Sequence, residues 1–303
     1  MADQPSTTAS TLLDEARTLV DARLEAWAER MTREVPGRLG EALAYALRSP
    51  GKRVRPALVL AAAQTIGGDP LTMVDVATAV EIVHTYSLVH DDLPCMDDDE
   101  LRRGRPTTHC AYDVATATRV GYLLVPVAVE TLADAAAALS LDPATRRALA
   151  VELLEAGGIR GMVGGQWLDL EAEGRQLDLH GLMVVHQGKT GALIRAAVVL
   201  GGIAAGATTT QLAALRRYGE AIGLAFQVAD DVLDATATSE VLGKTAGRDA
   251  ALAKSTSVSL LGVEGARAEA ARHEALAISA LEEIGLPTES LGLLARYIVT
   301  RAA

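Results

Sequence analysis

The chain has 303 residues, 50% hydrophobic but only 3% aromatic, so its apolar content is largely Ala, Leu and Val, which favours packed helices over sheets. A formal net charge of −11 argues against nucleic acid as a partner, because phosphate backbones attract basic faces. Only Cys95 and Cys110 occur, which implies neither a disulfide framework nor a zinc site.

Taken in chain order, Met1-Ala2-Asp3-Gln4-Pro5 is not a basic segment followed by an apolar one, so no secretory signal is expected and the cytoplasm is the default. Leu12-Leu13, Ala16, Leu19-Val20 and Leu24 open an amphipathic helix. Pro36, Pro50, Gly67-Gly68-Asp69-Pro70 and Leu141-Asp142-Pro143 punctuate later ones. The longest uncharged stretch, 196–215, is interrupted by Gly201, Gly202, Gly206 and Thr208-Thr209-Thr210, which predicts a buried helix and turn rather than a membrane span. No linker or solenoid-type repeat divides the chain, so residues 1–303 read as one all-α domain.

Two aspartate clusters break this apolar pattern: Asp91-Asp92-Leu93-Pro94-Cys95-Met96-Asp97-Asp98-Asp99 and Asp230-Asp231-Val232-Leu233-Asp234. Carboxylates this dense repel one another and resist burial, so setting them in apolar flanks needs a cation. Oxygen ligands without Cys or His suit Mg²⁺, which completes its shell with water and substrate phosphates. Asp230, Asp234 and Gln227 share one helix face. Asp97 would point away from Asp91 on an ideal helix, but a break at Pro94 swings it back. Arg102-Arg103-Gly104-Arg105 follows the first cluster and Gly51-Lys52-Arg53-Val54-Arg55-Pro56 precedes it, and acidic metal sites beside basic clusters suit a diphosphate. For Lys52, Arg53 and Arg55 a solvated loop is the bland alternative.

The first cluster with its Arg-Arg resembles the first aspartate-rich motif of the trans-isoprenyl diphosphate synthases, in the bacterial form with two extra residues between the aspartates. Phe226-Gln227-Val228-Ala229-Asp230-Asp231-Val232-Leu233-Asp234 resembles the second. Gly51-Lys52-Arg53-Val54-Arg55-Pro56, Gly164-Gly165-Gln166, Gly188-Lys189-Thr190-Gly191-Ala192-Leu193 and Leu242-Gly243-Lys244-Thr245 follow in the family's order. The resemblance implies a helical bundle of isoprenoid-synthase type around a deep central cavity, and a homodimer. It implies Mg²⁺ on Asp91, Asp97 and Asp230, supported by Asp92 and Asp234. Arg102, Lys189 and Lys244, with Lys254 as a weaker candidate, would hold an allylic diphosphate; Lys52, Arg55, His84 and Arg103 would hold isopentenyl diphosphate. Thr190 and Gln227 would face the developing cation.

Farnesyl diphosphate is the product this implies, with a C20 synthase as the alternative. A terpene cyclase would not need Lys52, Arg55 and Arg103, and a non-catalytic homologue would be expected to have lost one Asp cluster. Tyr86, five before Asp91, is expected to form the floor of the product cavity. Gly164-Gly165-Gln166 reads as close helix packing, His109, His180, His186 and His273 as surface or structural, and Trp27 and Trp167 as core or interface. Relatives often carry Gly-Asp at Gly121-Tyr122 and Tyr-Pro at Val258-Ser259.

Overall fold

A computed structural model describes residues 7–236 and 255–301. Lys244 and Lys254, with the motif around Lys244, lie outside the described residues.

The amphipathic stripe at the start of the chain becomes α1 (Ala9–Glu34), which buries Leu13, Ala16, Val20, Leu24, Trp27, Ala28 and Met31 on one side. It is followed by α2 (Arg38–Leu47) and α3 (Val54–Ile66). Gly67 ends α3 in the left-handed region and Asp69 caps the short turn opened by Pro70, so the predicted break does both jobs. Next, α4 (Val74–Asp91) is apolar on nearly every side and runs through the core, packed by α1, α3, α6 (Val114–Ala138) and α10 (Ala192–Ala204).

Between α4 and α6 lie a two-residue hairpin and the single turn α5 (Thr108–Ala111). The hairpin pairs Leu101 with Pro106 and Arg102 with Arg105; Arg103 and Gly104 between them both have positive φ, as in type I′ turns. Side-chain oxygens of Asp113, Asp142 and Asp178 cap α6, α7 (Pro143–Gly157) and α9 (Leu179–His186). The bundle is completed by α8 (Met162–Glu171), α11 (Thr209–Thr236), α12 (Ser257–Glu282) and α13 (Glu289–Thr300).

Ala-rich α3 and α10 lie against each other, and one apolar cluster continues from α1 to α13. Small side chains let the backbones approach closely, which is how so few aromatic residues fill a large core. The uncharged stretch divides as expected into buried α10, a turn and the start of α11. Among the described helices α6 alone is long and apolar enough to cross a membrane, but half of its apolar window is buried against the rest of the bundle. At Val258-Ser259 the serine completes a reciprocal capping box with Thr256 that starts α12.

Candidate active site

The first cluster ends α4. The helix stops at Asp91, and the chain turns so that the Asp97 N–H donates to the Asp91 carbonyl at 2.8 Å while Asp98 takes a positive φ. Pro94 lies in this turn, which returns the Asp97 backbone beside Asp91. Burial raises the Asp91 carboxyl to about 6, with nearby Lys189 opposing the shift and Asp97 adding to it. Burial also takes Asp92 to about 6 against the pull of Arg102.

The second cluster lies late on α11. Opposite it the Gly188-Lys189-Thr190 run forms a π-helical segment, Gln187–Gly191, between α9 and α10. Such a bulge changes the aim of consecutive side chains, and it sends Lys189 and Thr190 inward. Thr190 Oγ1 donates to Gln227 Oε1 at 2.8 Å, and Lys189 Nζ donates to Asp169 Oδ2 at 2.7 Å. Burial lowers the Lys189 pKa, but Asp169, Asp91 and Asp97 more than offset it, so the ammonium stays charged.

These elements enclose a cavity of about 450 Å³, lined by Lys52, Arg55, His84, Asp91, Arg103, Lys189, Thr190 and Asp230, together with Arg53, Glu81, Gln166, Asp234 and Arg301. Residues distant in sequence therefore meet at one place. Burial lowers Arg55 to about 10, and its Nε has no hydrogen-bond partner among the described residues. Lys52 is lowered by burial and then by Arg301. His84 is pushed well below 6.5 by burial and by Arg55, so it is a neutral imidazole at pH 7. These cations crowd one another, and an anion in the cavity is what would stabilise them.

Asp97, Arg102 and Gln227 do not line this cavity. Arg102 sits on the hairpin and binds Asp92 at 2.6 Å and Asp99 at 3.2 Å. Asp92 therefore serves the hairpin as well as the first cluster. Tyr86, expected as a floor, is also absent from the lining: Ser87, Leu88, His84 and Asp91 face the cavity, while the Tyr86 ring stacks edge-on against His90, which in turn meets Tyr122. The residue that relatives often have as Asp is here an exposed ring on that stack.

Four residues in the site were not singled out as functional from the sequence. Asp169 lies three residues beyond the Gly-Gly-Gln motif, on the Gln166 face of α8, a spacing that the sequence displays. Glu81 is a carboxylate in the apolar middle of α4, between Asp75 in its first turn and Asp91 at its end, a visible signal. Gln166 is buried with neither amide atom hydrogen-bonded among the described residues. Arg301, immediately after α13, has a buried side chain that pairs with Asp230 and stacks on Phe226 at 3.8 Å. The solvated-loop alternative fails for Arg53, which is buried, and for Arg55, which is half-buried in the first turn of α3 with its Nε enclosed, whereas Lys52 is exposed.

His186 is structural, as expected, but buried: Nε2 lies 3.8 Å from Asp231, whose Oδ2 also accepts the Ser257 N–H at 2.7 Å. Burial lowers its pKa to about 4, with Asp169 opposing and Lys189 assisting. The folded pKa is below the unfolded one, so the neutral ring's contribution is present above about pH 6.5 and is lost as pH falls toward 4. Between pH 7 and 4.5 the stability difference between wild type and His186→Gln should move toward the variant by about 2 kcal/mol in urea unfolding. A pH-independent difference would show that the ring titrates normally.

A helical bundle whose carboxylates and cations converge on one cavity is the architecture of an enzyme acting on phosphorylated substrates. A family model described as polyprenyl synthetase matches residues 36–283. The chain is 45% identical to the farnesyl diphosphate synthase of Escherichia coli, over 86% of this chain and 88% of that protein. It is 46% identical to geranylgeranyl pyrophosphate synthase 9 of Arabidopsis thaliana, over 79% and 68%. Among solved structures it overlays a geranyltransferase from Helicobacter pylori complexed with magnesium and isoprenyl diphosphate, with a TM-score of 0.77, 31% identity and coverage of 97% and 96%. The chain belongs to the polyprenyl synthetase family and is a prenyltransferase.

Proposed function

We propose that this prenyltransferase condenses isopentenyl diphosphate with dimethylallyl or geranyl diphosphate and releases farnesyl diphosphate. The observation that carries the reading is a single cavity holding Asp91 and Asp230 together with Lys189 and the separate basic set Lys52, Arg55 and Arg103. One diphosphate needs a metal and a cation to leave; the other needs only cations to be held.

Asp91, Asp97 and Asp230 are the residues that would hold Mg²⁺. Among the described residues no three Asp, Glu, His or Cys side chains converge closely enough to hold an ion by themselves, which fits a cation that takes one or two carboxylates plus substrate phosphates. When bound, the metal supplies charge neutralisation for the departing allylic diphosphate. Lys189, held charged by Asp169, adds to that neutralisation. Thr190, which lines the cavity, and Gln227, which accepts its hydroxyl at 2.8 Å, are the residues whose oxygens would face the developing cation. Arg102 and Lys244 complete the allylic set. His84 would donate a neutral N–H to isopentenyl diphosphate alongside Lys52, Arg55 and Arg103. The isopentenyl double bond attacks the allylic carbon, and the adduct loses a proton to the released diphosphate.

Chromatography of products from purified protein, Mg²⁺ and both substrates tests this, with C15 expected as the main product. A main C20 product would favour the geranylgeranyl reading that the Arabidopsis relative supports. No consumption of isopentenyl diphosphate, or turnover undiminished by EDTA, would overturn the proposal.

The working form is proposed to be a cytoplasmic homodimer of one-domain subunits. Exposed Tyr122, Leu154, Ile159, Val163, Trp167 and Val184 on α6 to α9 supply an apolar surface for a second copy. Light scattering should give twice the chain mass of 31.6 kDa.

A further inference from the structure

Arg53 differs from the basic residues beside it. Its side chain is 4% exposed and its three guanidinium nitrogens are all engaged: Nε with Asp21 of α1 at 2.7 Å, Nη1 with Glu81 of α4 at 2.7 Å, and Nη2 with the Ser49 carbonyl at 2.8 Å. Its backbone is left-handed, with φ 52° and ψ 37°, a conformation that costs free energy and persists only where the surroundings impose it. Arg103, also left-handed, donates to the Pro50 carbonyl of the same loop. Gly51 lies between them: a Cβ there would stand 2.6 Å from Arg103 Nη1 and 2.7 Å from Arg53 Nη1. The loop that presents Lys52 is thus held by two guanidinium groups and has no room for a side chain at Gly51.

Glu81 is what the Arg53 contact controls. Its carboxylate is buried, lines the cavity and is the leading favourable charge felt by both Arg55 and Arg103. A buried carboxylate must have a cationic partner. Without Arg53 the cations that share the cavity with Glu81 and feel its charge are Arg55 and Arg103, and either pairing removes a donor from an incoming diphosphate.

We infer that Arg53 is a positioning residue of the isopentenyl diphosphate subsite, which sequesters Glu81 from Arg55 and Arg103. The inference rests on the two-substrate reading above. Arg53→Met should raise KM for isopentenyl diphosphate by about tenfold or more, with KM for the allylic substrate and kcat within about twofold. Arg53→Met combined with Glu81→Gln should bring KM for isopentenyl diphosphate back to within about threefold of wild type, because the competing carboxylate is gone. A residue with only a scaffold role would not be rescued by removing its partner. Should Arg53→Met prove too unstable to purify, Arg53→Lys, which keeps a cation beside Glu81, and the double variant carry the test. Arg53→Lys should show a smaller rise in the same KM.

Unchanged KM values in Arg53→Met, equal rises for both substrates, or no recovery in the double variant would overturn the inference. If wild type fails to use isopentenyl diphosphate, the functional reading falls, and calorimetric titration with inorganic diphosphate then tests Arg53 by itself. Weaker binding in Arg53→Met that recovers in the double variant supports sequestration; equal binding in all three proteins refutes it.

Discussion

Asp91→Ala and Asp230→Ala should each lower turnover by at least about a thousandfold at saturating Mg²⁺, since each removes a carboxylate proposed to hold the metal against a departing diphosphate. Their effects on stability should differ. Asp91 is a half-buried carboxyl whose pKa desolvation raises to about 6, so deleting it relieves desolvation and repulsion, and metal-free Asp91→Ala should melt at or above the wild-type temperature. Asp230 is the carboxylate that Arg301 holds, and the Arg301 side chain is 5% exposed. Among the described residues, deleting Asp230 leaves that guanidinium with Phe226 alone. A loss of roughly 1–3 kcal/mol follows, toward the low end because Asp230 itself is 44% exposed. Thermal melts without Mg²⁺ at pH 7 measure this. Near-wild-type turnover in either variant would overturn the metal assignment.

Gly165→Ala should be the most damaging small substitution away from the charged residues. A Cβ at position 165 would overlap the Lys189 backbone nitrogen and the Gly188 carbonyl carbon, so α8 and the π segment must separate to admit it. Separation by even an ångström disturbs Lys189 against Asp169 and Thr190 against Gln227 at once. Overpacking of this kind costs roughly 1–3 kcal/mol, and misplacement of groups that meet the substrate costs about a hundredfold in rate. A melting temperature lower by several degrees together with that loss of kcat is expected. Wild-type kcat in Gly165→Ala would mean that the π segment tolerates displacement.

The helices were largely legible in the sequence because their signals are local: a 3.6-residue stripe in α1, an Asp cap before Pro143, a Gly-Gly-Asp-Pro break after α3. The hairpin at Leu101–Pro106 escaped because its strands are too short to show alternation. The Asp clusters and basic motifs identified the candidate chemistry, since such charges have no packing reason to lie in apolar helices. What no local pattern contained was orientation. Tyr86 and Ser87 are adjacent, yet the helical turn of α4 gives Ser87 to the cavity and Tyr86 to His90. Arg53 and Arg55 belong to one motif, yet only contacts with α1 and α4, far away in sequence, commit the first to Asp21 and Glu81 while the second remains directed at the cavity. Residue types and the helices that carry them are already written in local spacing. Which charge each one faces emerges only on folding, because pairing in a buried site depends on distances between elements that spacing along the chain does not set.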